Sequence, residues 1–135
     1  MPAKTYRLID ANLNRVREGL RVVEDTLRFV LSNNEQAAKL KRIRHQLDKK
    51  AGAIYPQLIL ARSVEEDKNS GLAEAGRKNL ISLLIANFRR AEEGLRVLEE
   101  YGKLISAGAG DDFKKLRFQV YQIEKEVMEL AVVKQ

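Results

Sequence analysis

Residues 11–25 read ANLNRVREGLRVVED, and residues 86–100 read ANFRRAEEGLRVLEE. The two stretches align without a gap. Polar residues and a glycine recur at equivalent positions, namely Asn12 and Asn87, Arg15 and Arg90, Gly19 and Gly94, and Arg21 and Arg96. The segments that follow also match, KLKRIRHQLDK at 39–49 and KLRFQVYQIEK at 115–125. A repeat of this length predicts that one helical hairpin has been duplicated.

Apolar residues in both copies are spaced by three or four positions, which is the period of a helix with one buried face. The stripe in the first copy consists of Ile9, Leu13, Val16, Leu20, Val23 and Leu27. This pattern predicts a first helix from about Tyr6 to Leu31. The Ser-Asn-Asn that follows offers turn and N-cap chemistry for a second helix, which we expect Pro56 to kink or end.

The second half of the chain begins with a polar segment, RSVEEDKNSG at 62–71. This segment lacks helical periodicity and predicts the longest loop. A long third helix is expected from about Ala73 to Ser106. The AGAGDD that follows is expected to form an inter-helix turn, with Asp111 capping the last helix.

These segments predict an all-α domain over residues 1–135. Two antiparallel hairpins, 6–62 and 73–133, pack most simply about a pseudo-twofold axis as a four-helix bundle. The chain contains no cysteine, and its N-terminus lacks the apolar segment of a signal peptide. The longest apolar run, residues 80–86, is too short to span a bilayer. The sequence therefore predicts a cytoplasmic protein that does not enter membranes.

A formal net charge of +6 predicts a basic surface, which fits phosphorylated metabolites, nucleic acid or anionic lipid. Aromatic residues make up 6% of the chain, and the cations alternate with Glu and Asp. This pattern argues against nucleic acid as a partner. The only histidine, His45, is expected at the surface or its boundary rather than as a catalytic base. No glycine-rich phosphate loop is present.

A shared cleft is the most informative prediction from the repeat. A glycine inside a helix costs about 1 kcal/mol relative to alanine, so Gly19 and Gly94 indicate close approach of two helix backbones. If the first and third helices cross there, one flank of each helix lines a cleft about the pseudo-axis. The residues on these flanks are Asn12, Arg15, Glu18, Asn87, Arg90 and Glu93.

Such a cleft suits a phosphorylated ligand, because arginine binds phosphate oxygens through a planar fork and asparagine hydrogen-bonds to a heterocycle. The alternative is structural. Arg15 and Arg90 would then pair with Glu18 and Glu93 one turn away and tie the hairpins together. Spacing alone leaves both interpretations open.

The segments ANLNRVREGLRVVED and ANFRRAEEGLRVLEEYGKL resemble the twin signature of an all-helical family in thiamine biosynthesis. Its domain occurs alone or fused ahead of thiamine-phosphate synthase. The resemblance implies a hydroxymethylpyrimidine-phosphate kinase. Such an enzyme uses ATP and Mg²⁺ to convert 4-amino-5-hydroxymethyl-2-methylpyrimidine phosphate to its pyrophosphate.

The resemblance also implies roles for individual residues. Arg15 and Arg90 would clamp phosphates, Asn12 and Asn87 would orient the pyrimidine or ribose, and Glu18 or Glu93 would hold magnesium. Further phosphate contacts would come from Arg44, Arg62 and Arg77, with Asp67 on a loop that closes over the site. In the family this loop tends to read Arg-Asp and then Asp-Val-Gly, whereas Ser63 follows Arg62 here and Lys68-Asn69 follows Asp67.

Three functions remain open at this stage. The first is the kinase. The second is a noncatalytic module that binds the pyrimidine phosphate or docks on thiamine-phosphate synthase, and the third is a basic helical protein that binds nucleic acid or acts as a scaffold. The sequence leaves open the general base, the nucleotide preference and whether a homodimer forms through an exposed helix.

Overall fold

The computed structural model describes residues 2–69 and 76–133, without the side chains of residues 67, 69, 132 and 133. Over these ranges the chain consists of helices and connecting turns. The helices are α1 (Ala3–Asp25), α2 (Asn34–Gly52), α3 (Tyr55–Ala61), α4 (Val64–Asn69), α5 (Leu80–Gly102) and α6 (Ala107–Val133). A π-helical turn, Thr26–Val30, extends α1. The predicted all-α fold is confirmed.

The four long helices form a bundle in which α1 packs on α2 and α5, and α6 packs on the same two helices. The short helix α3 lies against α1. Every residue of the predicted stripe from Ile9 to Leu27 is at most 1% exposed. These side chains join buried apolar residues of the other three long helices in one core. The four-helix bundle is therefore confirmed.

The first hairpin follows the sequence prediction closely. Helix α1 begins at Ala3, one turn before the predicted Tyr6, with Pro2 at the N-cap position. The side chain of Asn33 caps α2 by accepting a hydrogen bond from the Gln36 backbone N–H. The predicted end of the second helix is also present, because α2 stops at Gly52 and Pro56 lies in the first turn of α3.

The predicted loop 62–71 is wrong in part, because Val64–Asn69 forms α4. The predicted start of the third helix is wrong as well. Ala73 lies outside the described residues, but residues 76–79 are described and are not helical. Helix α5 starts at Leu80 because Asn79 and Ser82 form a capping box, in which each side chain accepts a hydrogen bond from the other's backbone N–H.

The junction of α5 and α6 also differs from the prediction. Helix α5 ends at Gly102 rather than Ser106, and the AGAGDD segment forms the first turns of α6. Asp111 therefore lies inside α6, and the Ser106 hydroxyl accepts the hydrogen bond of the Ala109 N–H instead. A Cβ at Gly110 would lie 3.2 Å from the Glu99 carbonyl oxygen, so the glycines here allow close packing rather than a break.

Within the described ranges, no helix is both long enough and apolar enough to cross a membrane.

Candidate functional site

The crossing of α1 and α5 is built by the two repeated glycines. A Cβ at Gly19 would lie 2.8 Å from the Asn87 carbonyl oxygen, and one at Gly94 would lie 3.3 Å from the Asn12 carbonyl oxygen. The predicted close approach is confirmed. Because Gly19 is equivalent to Gly94 and Asn12 to Asn87, the contacts are reciprocal. The pseudo-twofold axis therefore passes between α1 and α5.

The two repeated asparagines are held in the same way. Asn12 Nδ2 donates to the Leu8 carbonyl at 3.0 Å, and Asn87 Nδ2 donates to the Leu83 carbonyl at 2.9 Å. Asn12 is only 4% exposed, whereas Asn87 is half-buried. Each bond fixes the carboxamide along its own helix and leaves the side-chain oxygen as an acceptor.

The repeated arginines differ in their contacts. Arg90 Nη2 lies 3.4 Å from Glu18 Oε2 across the helix crossing. Arg15 Nη1 instead donates to Asn12 Oδ1 on its own helix, at 3.4 Å. The side chains of Glu18 and Arg90 are 66% and 36% exposed, so their ion pair contributes at most about 1 kcal/mol to stability. The contribution of this ion pair to stability is therefore too small to explain on its own why these charged residues are present.

A cavity of about 370 Å³ opens beside Arg15, a size at the lower end for small-molecule sites. Its cationic lining comes from Lys4, Arg7 and Arg15, and its apolar lining includes Val97 of α5. Arg7 also forms an ion pair with Glu66 of α4. The sequence reasoning missed Lys4 and Arg7. Their helical spacing from Asn12 and Arg15 could have identified them as residues on the same face of the helix.

The predicted phosphate ligands on α2 and after α3 are held by buried carboxylates. Arg44 donates to Glu24 at 2.7 and 3.2 Å, and Arg62 donates to Asp10 at 2.7 Å through two nitrogens. Glu24 is 1% exposed. Burial alone would raise the pKa of Glu24, but hydrogen bonds from Arg44 and Arg28 lower it below the ordinary value. The structure thus places Arg44 and Arg62 in ion pairs that join helices.

The remaining predicted residues are more dispersed. Glu93 is exposed on α5, and Arg77 is exposed just before that helix. The Asp67 side chain lies outside the described part of the chain. His45 is exposed on α2. In the part of the chain that the structure describes, no group of three or more His, Asp or Glu could hold a metal ion.

A second cavity of similar size lies at the other end of the bundle, between the C-terminal ends of α1 and α6 and the N-terminal end of α5. Leucines such as Leu27, Leu84 and Leu130 dominate its lining. Asn33 and Asn79, which also line it, use their side chains to cap α2 and α5. With no cation in this lining, the cavity is less suited to a phosphorylated ligand than the one beside Arg15.

A pair of carboxyl groups, one of them buried, distinguishes the second hairpin from the first. In the first, Arg17 of α1 and Asp48 of α2 form an ion pair at 2.7 Å. The equivalent residues in the second are Glu92 and Glu124, which hydrogen-bond to each other. Burial and then this hydrogen bond raise the pKa of Glu92 to about 8. Glu92 is 6% exposed, and its Oε2 atom has no hydrogen-bond partner within the described ranges.

The fold and the repeated polar residues together define a class of duplicated helical-hairpin bundles, in which an asparagine and an arginine of each repeat lie at the crossing of α1 and α5. The chain belongs to the ThiD2 family, whose model matches residues 7–126. It is 44% identical over 126 residues to a thiamine-phosphate synthase of Nostoc punctiforme, covering 91% of this chain and 35% of that protein. A thiamine-phosphate synthase of Synechocystis is 45% identical, with 91% and 36% covered. The chain thus spans about a third of these relatives, and no solved structure matches it.

Proposed function

We propose that this chain is a kinase of thiamine biosynthesis that transfers a phosphoryl group from ATP to 4-amino-5-hydroxymethyl-2-methylpyrimidine phosphate. The observation that supports it best is the crossing of α1 and α5, to which the repeat brings two carboxamides and two guanidinium groups. Membership of the ThiD2 family and relatives named thiamine-phosphate synthase favour the same pathway.

The reaction needs positioning and charge neutralisation more than proton transfer. A phosphate oxygen of the pyrimidine phosphate attacks the γ-phosphorus, the bond to the bridging oxygen breaks, and ADP leaves with the electron pair. Because the second ionisation of a phosphate monoester has a pKa of about 6, the attacking oxygen is largely deprotonated at neutral pH. A general base is therefore unnecessary, which agrees with a single histidine that lies exposed on α2.

The residues at this crossing divide these tasks. Arg15 and Arg90 neutralise phosphate oxygens, and Asn12 and Asn87 orient the heterocycle or ribose. Glu18 and Glu93 are the carboxylates available to magnesium, which takes most of its ligands from phosphates and water. Phosphate binding to Arg90 would release Glu18 from its ion pair, so one event supplies both a cation and a magnesium ligand.

Arg44 and Arg62 then act as supports, since buried carboxylates already hold their guanidinium groups. Arg77 remains a proposed phosphate contact near the start of α5. Asp67 remains proposed as part of a closing segment.

A noncatalytic module is the second candidate function. The chain corresponds to about a third of relatives that carry the name of a synthase. A segment of this size could bind the pyrimidine phosphate and deliver it to thiamine-phosphate synthase without transferring a phosphoryl group. This alternative predicts binding of the pyrimidine phosphate without consumption of ATP.

The test is ADP release, measured with pyrimidine phosphate, ATP and Mg²⁺, for the wild type and two double variants. Arg15→Gln with Arg90→Gln should lower turnover at least about a hundredfold, because each charge-assisted contact contributes about 1.5–3 kcal/mol. The control, Arg21→Gln with Lys125→Gln, removes two positive charges from exposed ion pairs elsewhere. Wild-type binding of the pyrimidine phosphate without ADP release would favour the module instead.

A further inference from the structure

The polar residues along α1 and α5 form two sets, here called halves, that are equivalent by repeat but differ in charge. We call the half beside the cavity the basic half, with Lys4, Arg7, Asn12 and Arg15. The equivalent residues at the N-cap of α5 and along this helix form the polar half, which consists of Asn79, Ser82, Asn87 and Arg90. The duplication thus retained the asparagine and the arginine in both halves, whereas two further cations occur only in the first.

Local hydrogen bonds increase this difference. In the polar half, Asn79 and Ser82 form the capping box of α5, so their side chains satisfy backbone groups of the helix. In the basic half, α1 begins at Ala3, two residues earlier relative to the repeat than α5 at Leu80, and Lys4 and Arg7 lie within the helix. Both side chains line the cavity.

The contacts of the two repeated arginines add to this difference in charge. Arg90 reaches across the crossing to Glu18, whereas Arg15 donates to Asn12 at the cavity wall. Within the cavity lining, three cations accompany a buried carboxamide and apolar side chains, and the lining includes no carboxylate. Glu66 pairs with Arg7 from outside this lining.

We propose that the basic half binds the triphosphate of the nucleotide. A triphosphate carries more negative charge than a monoester and gains more from three clustered cations. Only the identification of the ligand as a nucleotide rests on the proposed kinase function. Preferential binding of a polyphosphate in the basic half stands without it.

The test exchanges the chemistry of the two halves. The exchanged variant, Lys4→Asn with Arg7→Ser, gives the basic half the residues that the polar half has at the equivalent positions. The control, Arg21→Ser with Lys125→Asn, removes the same two charges from exposed ion pairs elsewhere. Binding of inorganic tripolyphosphate is measured by calorimetry at constant ionic strength. We expect at least about a tenfold loss of affinity in the exchanged variant and less than about twofold in the control.

Glu66→Gln provides a second measurement that does not depend on the folding of the exchanged variant. It keeps Arg7 and removes one negative charge beside it, so tripolyphosphate affinity should rise. A purely structural role for the pair predicts lower thermal stability and no gain in affinity. Equal losses in the exchanged variant and the control, no gain with Glu66→Gln, or no binding by the wild type would each overturn the assignment.

Kinase turnover separates this inference from the proposed function. Tripolyphosphate binding that depends on Lys4 and Arg7, in a chain that never releases ADP, would refute the kinase and keep the basic half as a polyphosphate site. An active kinase whose KM for ATP is unchanged by Lys4→Asn with Arg7→Ser would keep the kinase and refute the assignment.

Discussion

The carboxyl pair of Glu92 and Glu124 should make the free energy of unfolding depend on pH in a range where few other groups titrate. Burial and the hydrogen bond between the two side chains raise the pKa of Glu92 to about 8, compared with an ordinary value of 4.5. Arg89 opposes this shift, and Glu93 adds to it. Between these two pKa values the folded chain holds a proton that the unfolded chain releases. Stability is therefore highest at low pH within this range and falls as pH rises through about 8.

The magnitude follows from the size of the shift. One proton changes the free energy of unfolding by about 1.4 kcal/mol per pH unit within the range. Between pH 6 and 8 the expected loss is roughly 2 kcal/mol, because protonation of Glu92 has fallen to about half at the upper end. Glu92→Gln keeps a group that can hydrogen-bond to Glu124 but cannot ionise. The variant should therefore be nearly insensitive to pH over this interval.

Urea unfolding at pH 6, 7 and 8, at constant ionic strength, measures this slope. The matched control is Arg17→Gln, which removes the ion pair at the equivalent position of the first hairpin. It should shift stability by a similar amount at all three pH values and retain the wild-type slope. A wild type as stable at pH 8 as at pH 6, or one with the same slope as Glu92→Gln, would refute the account of this pair.

Three further predictions concern packing and capping, each measured by chemical denaturation. Gly19→Ala should cost about 1–3 kcal/mol, because its Cβ would lie 2.8 Å from a backbone oxygen, whereas Gly52→Ala, with open space around it, should cost no stability. Glu24→Gln should cost about 3 kcal/mol or more, because it leaves the half-buried Arg44 without its buried carboxylate, and a smaller loss than that of Arg21→Gln would contradict this. Asn79→Ala should cost about 1 kcal/mol through loss of the α5 cap, and an unchanged midpoint would show that the capping box is dispensable.

The core and the helix crossing were predictable because they depend on periodicity and on the repeat. The stripe from Ile9 to Leu27 is buried as expected, and the paired glycines correctly indicated where α1 and α5 meet. Helix ends were less predictable because they depend on single hydrogen bonds. The Asn79–Ser82 capping box places the start of α5 at Leu80 rather than near Ala73, and Ser106 rather than Asp111 caps the last helix.

Residues that break the repeat were harder to find. Lys4 and Arg7 line the cavity but have no charged counterparts on α5, so comparing the two copies did not point to them. Glu92 and Glu124 resembled the solvated charges of a helix surface. Only their packing between α5 and α6 shows that one is buried against the other. Equivalent positions therefore indicated the helix crossing, whereas the consequences of differences between the copies require the structure.

The most direct test of the kinase is ³¹P NMR of the wild-type chain with pyrimidine phosphate, ATP and Mg²⁺. The account predicts that the monoester resonance of the pyrimidine disappears as coupled pyrophosphate resonances and those of ADP appear, and that omitting any of the three components prevents this. An unchanged monoester resonance after prolonged incubation, with ATP intact, would contradict it.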